Sequence, residues 1–245
     1  MWDQFLLGFL QGVFEWLPIS SQGMVTIFSS FANLEMSSLD FSLFLHTGTM
    51  FAVLIFFRKD WINLILLKDK ELLRFFIIAS IVSLSLGFVL YKTIGGIVFG
   101  SGLLFLIGFG LLLTSWFQRK NIRLNMNKDI NSIIVGLLQG ISVIPGVSRS
   151  GSTIFGLSLK ETDPSEILKR SYIISLPAVA ASTGYIFLKD PTISSFPWIA
   201  LLTSFIFGII SLKILLDFSK KVNFSKITMI FGIICLIGGA IEWLI

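Results

Sequence analysis

Long apolar stretches alternate with short charged ones along the chain, and this pattern predicts membrane-spanning helices. A transmembrane helix needs about 20 predominantly apolar residues. Six stretches meet this requirement, at 41–57, 74–92, 96–117, 171–188, 196–217 and 226–245. We therefore predict an all-α membrane protein with six transmembrane helices.

Two further apolar regions are broken by Pro, Gly and Ser into halves that are too short to cross a bilayer. The halves are 5–17 with 24–33, and 132–144 with 152–160. Two half-helices joined by a polar turn are typical of a re-entrant hairpin, which is tolerated where protein or a water-filled cavity satisfies its backbone. The predicted order is therefore hairpin, three spans, hairpin, three spans.

The second half of the chain repeats the first. LGFLQGVFEWLPISSQG (7–23) aligns without gaps on VGLLQGISVIPGVSRSG (135–151). Because a hairpin returns to its side of entry and three spans is an odd number, the second copy is predicted to be inverted relative to the first. We expect one membrane domain, with repeat one at 1–117, a cytoplasmic connector at 118–131 and repeat two at 132–245.

Composition and charge agree with this topology. Hydrophobic residues make up 54% of the 245 residues and charged residues 13%, whereas soluble domains carry about 25% charged residues. This excludes a soluble globular domain and a disordered chain. The net charge of +5 is spread between apolar stretches, which argues against a nucleic-acid partner.

The basic residues predict the orientation, because cytoplasmic loops collect Lys and Arg. Sixteen of the 19 basic residues fall on one predicted side, and only Lys92 and Lys189 fall on the other. We expect a multi-pass plasma-membrane protein with both termini outside. The hairpins then enter from opposite sides, so that their tips can meet near the midplane.

Two ionisable residues lie at predicted membrane depth, where such residues are functional candidates. Glu15 follows Gln11 by four residues, which puts both on one helix face, and Arg149 lies in the second hairpin. A simple charge pair between Glu15 and Arg149 would leave the neighbouring serines unexplained.

Two polar turns provide an anion cradle in this interpretation. Each turn precedes an apolar half-helix, whose N-terminal amides and dipole favour phosphate, and the guanidinium of Arg149 can hold two phosphate oxygens. A plain helix cap is the alternative for each turn taken alone. The turns are Ser20-Ser21-Gln22-Gly23 and Ser148-Arg149-Ser150-Gly151. We therefore expect a diphosphate headgroup in a membrane-embedded site, with Glu15 placed to move a proton or to bind a cation.

The motifs QGVFEWLPISSQG (11–23) and PGVSRSGSTI (145–154) resemble the two signature motifs of the undecaprenyl-diphosphate phosphatases associated with bacitracin resistance. The segments FLHTGTMFAVLIFFR (44–58) and LPA (176–178) are similar to further segments of that family. The resemblance implies an enzyme that hydrolyses undecaprenyl diphosphate to the monophosphate and phosphate. It also implies a site that opens to the outer face and a divalent cation, Mg²⁺ or Ca²⁺.

The resemblance also assigns roles residue by residue. Glu15 matches the essential glutamate, Ser21 the candidate nucleophile and Arg149 the arginine that holds the diphosphate. The substrate contacts expected around them are Gln11, Ser20, Gly23, Ser148, Ser150 and Gly151, and Glu15 is the expected metal ligand. A homodimer is also expected.

One position departs from the family motif, because Met24 stands where the family has a histidine. His46, the single histidine of the chain, is expected to be a hydrogen-bonded packing residue. Two mechanisms stay open. Either Ser21 attacks phosphorus and Glu15 takes its proton, or a metal near Glu15 activates a water while Ser21 donates to phosphate.

A competing function follows from the same architecture, since inverted repeats with broken helices are also typical of secondary transporters. A protein that kept the cradle without acid/base chemistry would bind or flip the lipid carrier. The combination of Glu15 with a phosphate cradle favours the enzyme, because a carboxylate repels phosphate unless a proton or a metal intervenes.

Overall fold

A computed structural model describes residues 1–17, 21, 25, 28, 38–94, 102–119, 124–144, 147–189, 197–218 and 224–244. Within these residues the ordered elements are α-helices and no strand occurs, which confirms the predicted fold class at that level. The helices are α1 (Trp2–Phe14), α2 (Ser38–Phe56), α3 (Arg58–Ile65), α4 (Lys70–Ile94), α5 (Gly102–Arg119), α6 (Lys128–Ile141), α7 (Arg149–Ser158), α8 (Pro164–Lys189), α9 (Trp198–Phe218) and α10 (Phe224–Leu244).

A helix occupies each of the six long apolar stretches, as α2, α4, α5, α8, α9 and α10. By length and apolarity, Lys70–Thr93 and Trp198–Phe218 qualify as membrane spans within the described residues. Phe41–Phe56 and Arg58–Ile65 make a third if the pair, bent by 75°, is counted as one broken span. The half-helices α1, α6 and α7 are present, whereas most of 24–33 lies outside the described residues.

Helix α3 was not predicted from the sequence, which left 58–73 between two predicted spans. It runs for eight residues after the bend at Phe57. Leu64 is its buried residue, and the aromatic ring of Trp61 packs edge-on against Phe76 of α4 at 5.6 Å. The chain therefore turns along the edge of the helix bundle before α4 begins.

The two first half-helices make equivalent contacts with long helices from the other half of the chain. A Cβ built on Gly8 of α1 would lie 2.3 Å from the Ala200 carbonyl oxygen of α9. The equivalent atom on Gly136 of α6 would lie 2.8 Å from the Ala79 carbonyl oxygen of α4. Backbone approaches backbone at both crossings, and small residues make such close helix packing possible.

Charged residues from distant parts of the chain gather at one end of the helix bundle. Arg74 of α4 donates to Asp129 of α6 at 2.6 Å, and Lys128 pairs with Glu71. Lys169 of α8 contacts Asp60 of α3 at 3.8 Å. The regions predicted to lie on the cytoplasmic side are therefore neighbours in space.

Candidate active site

Glu15 lies at the centre of the candidate site, immediately after α1 ends at Phe14. Its amide N–H still donates to the Gln11 carbonyl at 3.0 Å, so the last helical turn orients the residue. The side chain is buried, with 3% of the residue exposed. A buried carboxylate is costly unless donors and cations surround it, and its neighbours are of these kinds.

One carboxylate oxygen, Oε2, collects three partners. The Gln11 amide donates to it at 2.9 Å, and the Ser21 hydroxyl donates to it at 2.7 Å. The Nε2 of His46 lies 3.2 Å away. The hydrogen bond between Gln11 and Glu15 confirms that the two side chains share a helix face. The distance between Ser21 and Glu15 is within the range found between a nucleophile and its general base.

Arg149 contacts the other carboxylate oxygen. Its Nη2 donates to Oε1 of Glu15 across 134 residues of sequence. The second terminal nitrogen, Nη1, is buried and has no hydrogen-bond partner among the described residues. The two broken-helix regions thus meet through these side chains.

His46 belongs to the site, which the sequence analysis did not predict. Helix α2 directs its side chain at Glu15, and Nδ1 lies 2.7 Å from the Ser42 carbonyl oxygen. A carbonyl oxygen only accepts, so Nδ1 carries the hydrogen and Nε2 faces the carboxylate. The sequence signal available was the presence of one histidine in an apolar helix.

The second polar turn starts α7. Ser148 is the N-cap residue and accepts from the Gly151 amide at 3.1 Å, while the Ser150 hydroxyl donates to the Leu17 carbonyl at 2.6 Å. Arg149 therefore occupies the first helical position, where N-terminal amides and the helix dipole favour an anion. Ser20, Gly23 and Met24 lie outside the described residues.

The described residues do not fit a divalent cation held by protein ligands alone. No group of three or more His, Cys, Asp or Glu among them could hold a metal ion. Both Glu15 oxygens already accept from side-chain donors or contact His46, whereas Mg²⁺ and Ca²⁺ take about six or more oxygen ligands. The divalent cation stays a prediction.

Comparison with known proteins agrees with this geometry. The family described as "Bacitracin resistance protein BacA" matches residues 4–241. A protein of Methanothrix thermoacetophila named undecaprenyl-diphosphatase is 36% identical over 243 residues, which cover 94% of each chain. Proteins of the same name from Haloarcula marismortui, 31% identical with 96% and 95% covered, and Methanopyrus kandleri, 32% identical with 97% and 95% covered, also match. The chain belongs to the bacitracin resistance protein BacA family.

Proposed function

We propose that this protein is a membrane enzyme that hydrolyses undecaprenyl diphosphate to undecaprenyl monophosphate and phosphate. The relatives described above are named undecaprenyl-diphosphatase. The observation that carries the proposal is the contact of one buried carboxylate, Glu15, with a hydroxyl, an imidazole and a guanidinium. The hydroxyl of Ser21 provides a nucleophile, Glu15 and His46 carry protons, and the guanidinium of Arg149 binds an anion. A protein that only bound or flipped the lipid would have no need of the Ser21–Glu15 hydrogen bond.

Ser21 is the nucleophile in this mechanism. Its Oγ attacks the terminal phosphorus while Glu15 takes the hydroxyl proton over the existing 2.7 Å hydrogen bond. The bond from phosphorus to the bridging oxygen breaks, and the lipid monophosphate leaves. Water then attacks the phosphoserine, which releases phosphate and restores the serine hydroxyl.

Arg149 binds the transferred phosphoryl group. Its Nη1, for which the described part of the chain offers no partner, is placed to donate to an equatorial oxygen while Nη2 stays on Glu15. Donors fixed in a water-poor site stabilise the charge that develops in the transition state. The start of α7 adds N-terminal amides beside Arg149.

His46 exchanges the proton that Glu15 receives. Its Nε2 faces Oε2 at 3.2 Å, and its Nδ1 hydrogen is held by the Ser42 carbonyl. The imidazole therefore carries a proton at Nε2 while Glu15 is ionised, gives it to the leaving oxygen, and takes back the proton that Glu15 received from Ser21. When water attacks the phosphoserine, Glu15 accepts the proton of the water and Nε2 gives its own to the serine oxygen. His46 supplies the acid/base group that Met24 does not.

The membrane topology is part of the proposal. Six spans and two re-entrant hairpins form an inverted repeat, with both termini outside and the site open to the outer face. The equivalent glycine crossings of α1 on α9 and α6 on α4 support the repeat. The charged end formed by Arg74, Asp129 and Lys169 supports a single cytoplasmic side. The homodimer stays a prediction.

The test is phosphate release from undecaprenyl diphosphate by the purified full chain in detergent, with and without chelator. Glu15→Gln and Ser21→Ala are expected to lower kcat by about 10³-fold or more, because nucleophile and base act as a unit. Glu166→Gln is the matched control, since Glu166 pairs with Lys169 at the charged end and its variant is expected to keep wild-type activity.

With substrate labelled in its terminal phosphate, acid-quenched wild type should carry covalently bound label on Ser21. The Ser21→Ala variant should carry none. Release at the wild-type rate by Ser21→Ala would favour direct attack by water. Lipid binding by wild type without any phosphate release would contradict hydrolysis and favour the flippase alternative.

A further inference from the structure

Glu15 lies in a short turn that continues the end of a helix. Helix α1 ends at Phe14, and residues 15–17 form what we call the Glu15 turn. The last carbonyls of a helix lack intrahelical partners and need donors from elsewhere when they are buried. The donors that serve this turn come from distant parts of the chain.

The Trp16 carbonyl accepts from Tyr172 of α8. The distance from the Tyr172 hydroxyl to the carbonyl oxygen is 2.8 Å, and both residues are fully buried. Their rings also pack together, with centroids 5.1 Å apart. The indole N–H of Trp16 in turn donates to the Gly208 carbonyl of α9 at 2.8 Å.

The Leu17 carbonyl accepts from the Ser150 hydroxyl of α7 at 2.6 Å. Ser150 is the residue after Arg149, so the same helical turn that presents the guanidinium also anchors the backbone beyond Glu15. The Glu15 turn is therefore fixed from α7, α8 and α9 at once, and each bond is made by a different residue.

We propose that Tyr172 and Ser150 are positioning residues for hydrolysis. Their hydroxyls hold the Glu15 turn so that the carboxylate faces Ser21 on one side and Arg149 on the other. The proposal rests on the proposed function, because it takes Glu15 as the catalytic carboxylate. Neither hydroxyl is required to touch the lipid, since each is already committed as a donor to a backbone carbonyl.

The chain offers matched controls for both substitutions. Tyr185 lies on the same helix as Tyr172 but is 44% exposed and packs against Tyr91. Ser158 lies on the same helix as Ser150 but donates to the Phe155 carbonyl within that helix. Tyr172→Phe is compared with Tyr185→Phe, and Ser150→Ala with Ser158→Ala.

The kinetic test measures kcat and KM for undecaprenyl diphosphate well below the unfolding temperature of each variant. Tyr172→Phe and Ser150→Ala are expected to lower kcat by about 10- to 100-fold, because small misplacements of a catalytic group are costly. KM stays near wild type, since Arg149 is unchanged. The double variant loses less than the product of the single losses, because both hydroxyls hold one turn.

The second measurement needs no catalysis. Hydrogen exchange at the Glu15 and Leu17 amides, which bond to Gln11 and Phe14, is expected to speed up in Tyr172→Phe and Ser150→Ala but not in the two controls. Unchanged exchange, a rise in KM alone, or faster exchange with wild-type kcat would each overturn the proposal.

Failure of the proposed function is distinguishable from failure of the positioning roles. Hydrolysis is contradicted if wild type releases no phosphate, and the role of Glu15 is contradicted if Glu15→Gln is fully active. In either case Tyr172 and Ser150 have no catalytic group to position. The exchange result still decides whether the two hydroxyls hold the turn. Thermal unfolding of every variant shows whether it is folded at the assay temperature.

Discussion

The imidazole of His46 connects a backbone carbonyl to the carboxylate of Glu15. Nδ1 lies 2.7 Å from the Ser42 carbonyl oxygen and Nε2 lies 3.2 Å from Oε2 of Glu15. Since the carbonyl fixes the hydrogen on Nδ1, Nε2 is the nitrogen that gains and loses a proton. A histidine therefore stands at the site although the family motif's histidine position is occupied by Met24.

Replacing His46 by Gln is expected to lower kcat by about 10²- to 10³-fold, the usual contribution of a positioned acid/base group. Glutamine keeps hydrogen-bonding capacity, but its amide neither gains nor loses a proton near neutral pH. KM for undecaprenyl diphosphate should change little, because Arg149, the proposed phosphate ligand, is unchanged. Steady-state phosphate release measures both constants.

Met24→His provides the complementary variant. In the wild-type background it should change kcat by less than about threefold, because His46 already supplies proton transfer. In the His46→Gln background it should raise kcat, since an imidazole returns to the position at which the family motif has one. Full activity of His46→Gln alone would refute a role of His46 in proton transfer.

Arg149 is expected to act through its two-armed geometry and not through charge alone. One arm contacts Glu15 and the other is buried without a partner among the described residues. Arg149→Ala should lower kcat/KM by about 10²- to 10³-fold, as for loss of a transition-state donor. Arg149→Lys should fall in between, because an ammonium cannot hold both partners in the same plane.

Arg119→Ala is the control for that series, because Arg119 is exposed and its Nη2 contacts Met229. It should keep wild-type kcat/KM. Equal activity of Arg149→Lys and wild type would mean that a point charge suffices and that the second arm has no role.

The sequence predicted those parts of the site that show up as a short residue spacing or as a repeated motif. The four-residue spacing of Gln11 and Glu15 predicted their shared face, and the predicted topology allowed the two hairpin tips to meet, where Glu15 contacts Arg149. A direct charge pair between Glu15 and Arg149 was considered only as an alternative. His46 and Tyr172 could not be predicted in the same way. Each points from a long apolar helix, and which helix face meets the Glu15 turn depends on packing between distant segments.

The bend before α3 escaped prediction for a related reason. The segment 58–73 lies between two predicted spans and begins with the charged residues Arg58, Lys59 and Asp60. The helix is held instead by packing of Trp61 against Phe76 and by the burial of Leu64. Tertiary contacts of this kind override weak local signals.

Gly12 is expected to be required for the packing of α1 on α9. A Cβ at Gly12 would lie 2.7 Å from the Ser204 carbonyl oxygen and 2.8 Å from the Gly208 amide nitrogen. Because both neighbours are backbone atoms, Gly12→Ala should lower the free energy of unfolding by about 1–3 kcal/mol. Gly184→Ala is the control, since nothing lies within 4 Å of its Cβ position.

Gly184→Ala should be neutral or stabilising by up to about 1 kcal/mol, because alanine is the better helix former. Denaturant titration in detergent micelles measures both variants. Equal stability of Gly12→Ala and wild type would show that α1 and α9 separate at little cost, and would weaken the role of this crossing in fixing Glu15.

Leu67 adopts a left-handed backbone conformation, with φ of 56°, where helices usually place glycine. It follows α3 in a hydrogen-bonded C-terminal motif: the Lys68 amide donates to the Asn63 carbonyl at 2.8 Å and the Leu67 amide to the Leu64 carbonyl at 3.1 Å. Leu67→Gly should raise the free energy of unfolding by about 0.5–1 kcal/mol, because relief of strain exceeds the added chain entropy. Leu66→Gly, at φ of −81°, removes a similar exposed side chain without that relief and should destabilise. Denaturant titration in detergent micelles compares the two variants. If Leu67→Gly loses as much stability as Leu66→Gly, apolar contact of the side chain outweighs backbone strain at this turn.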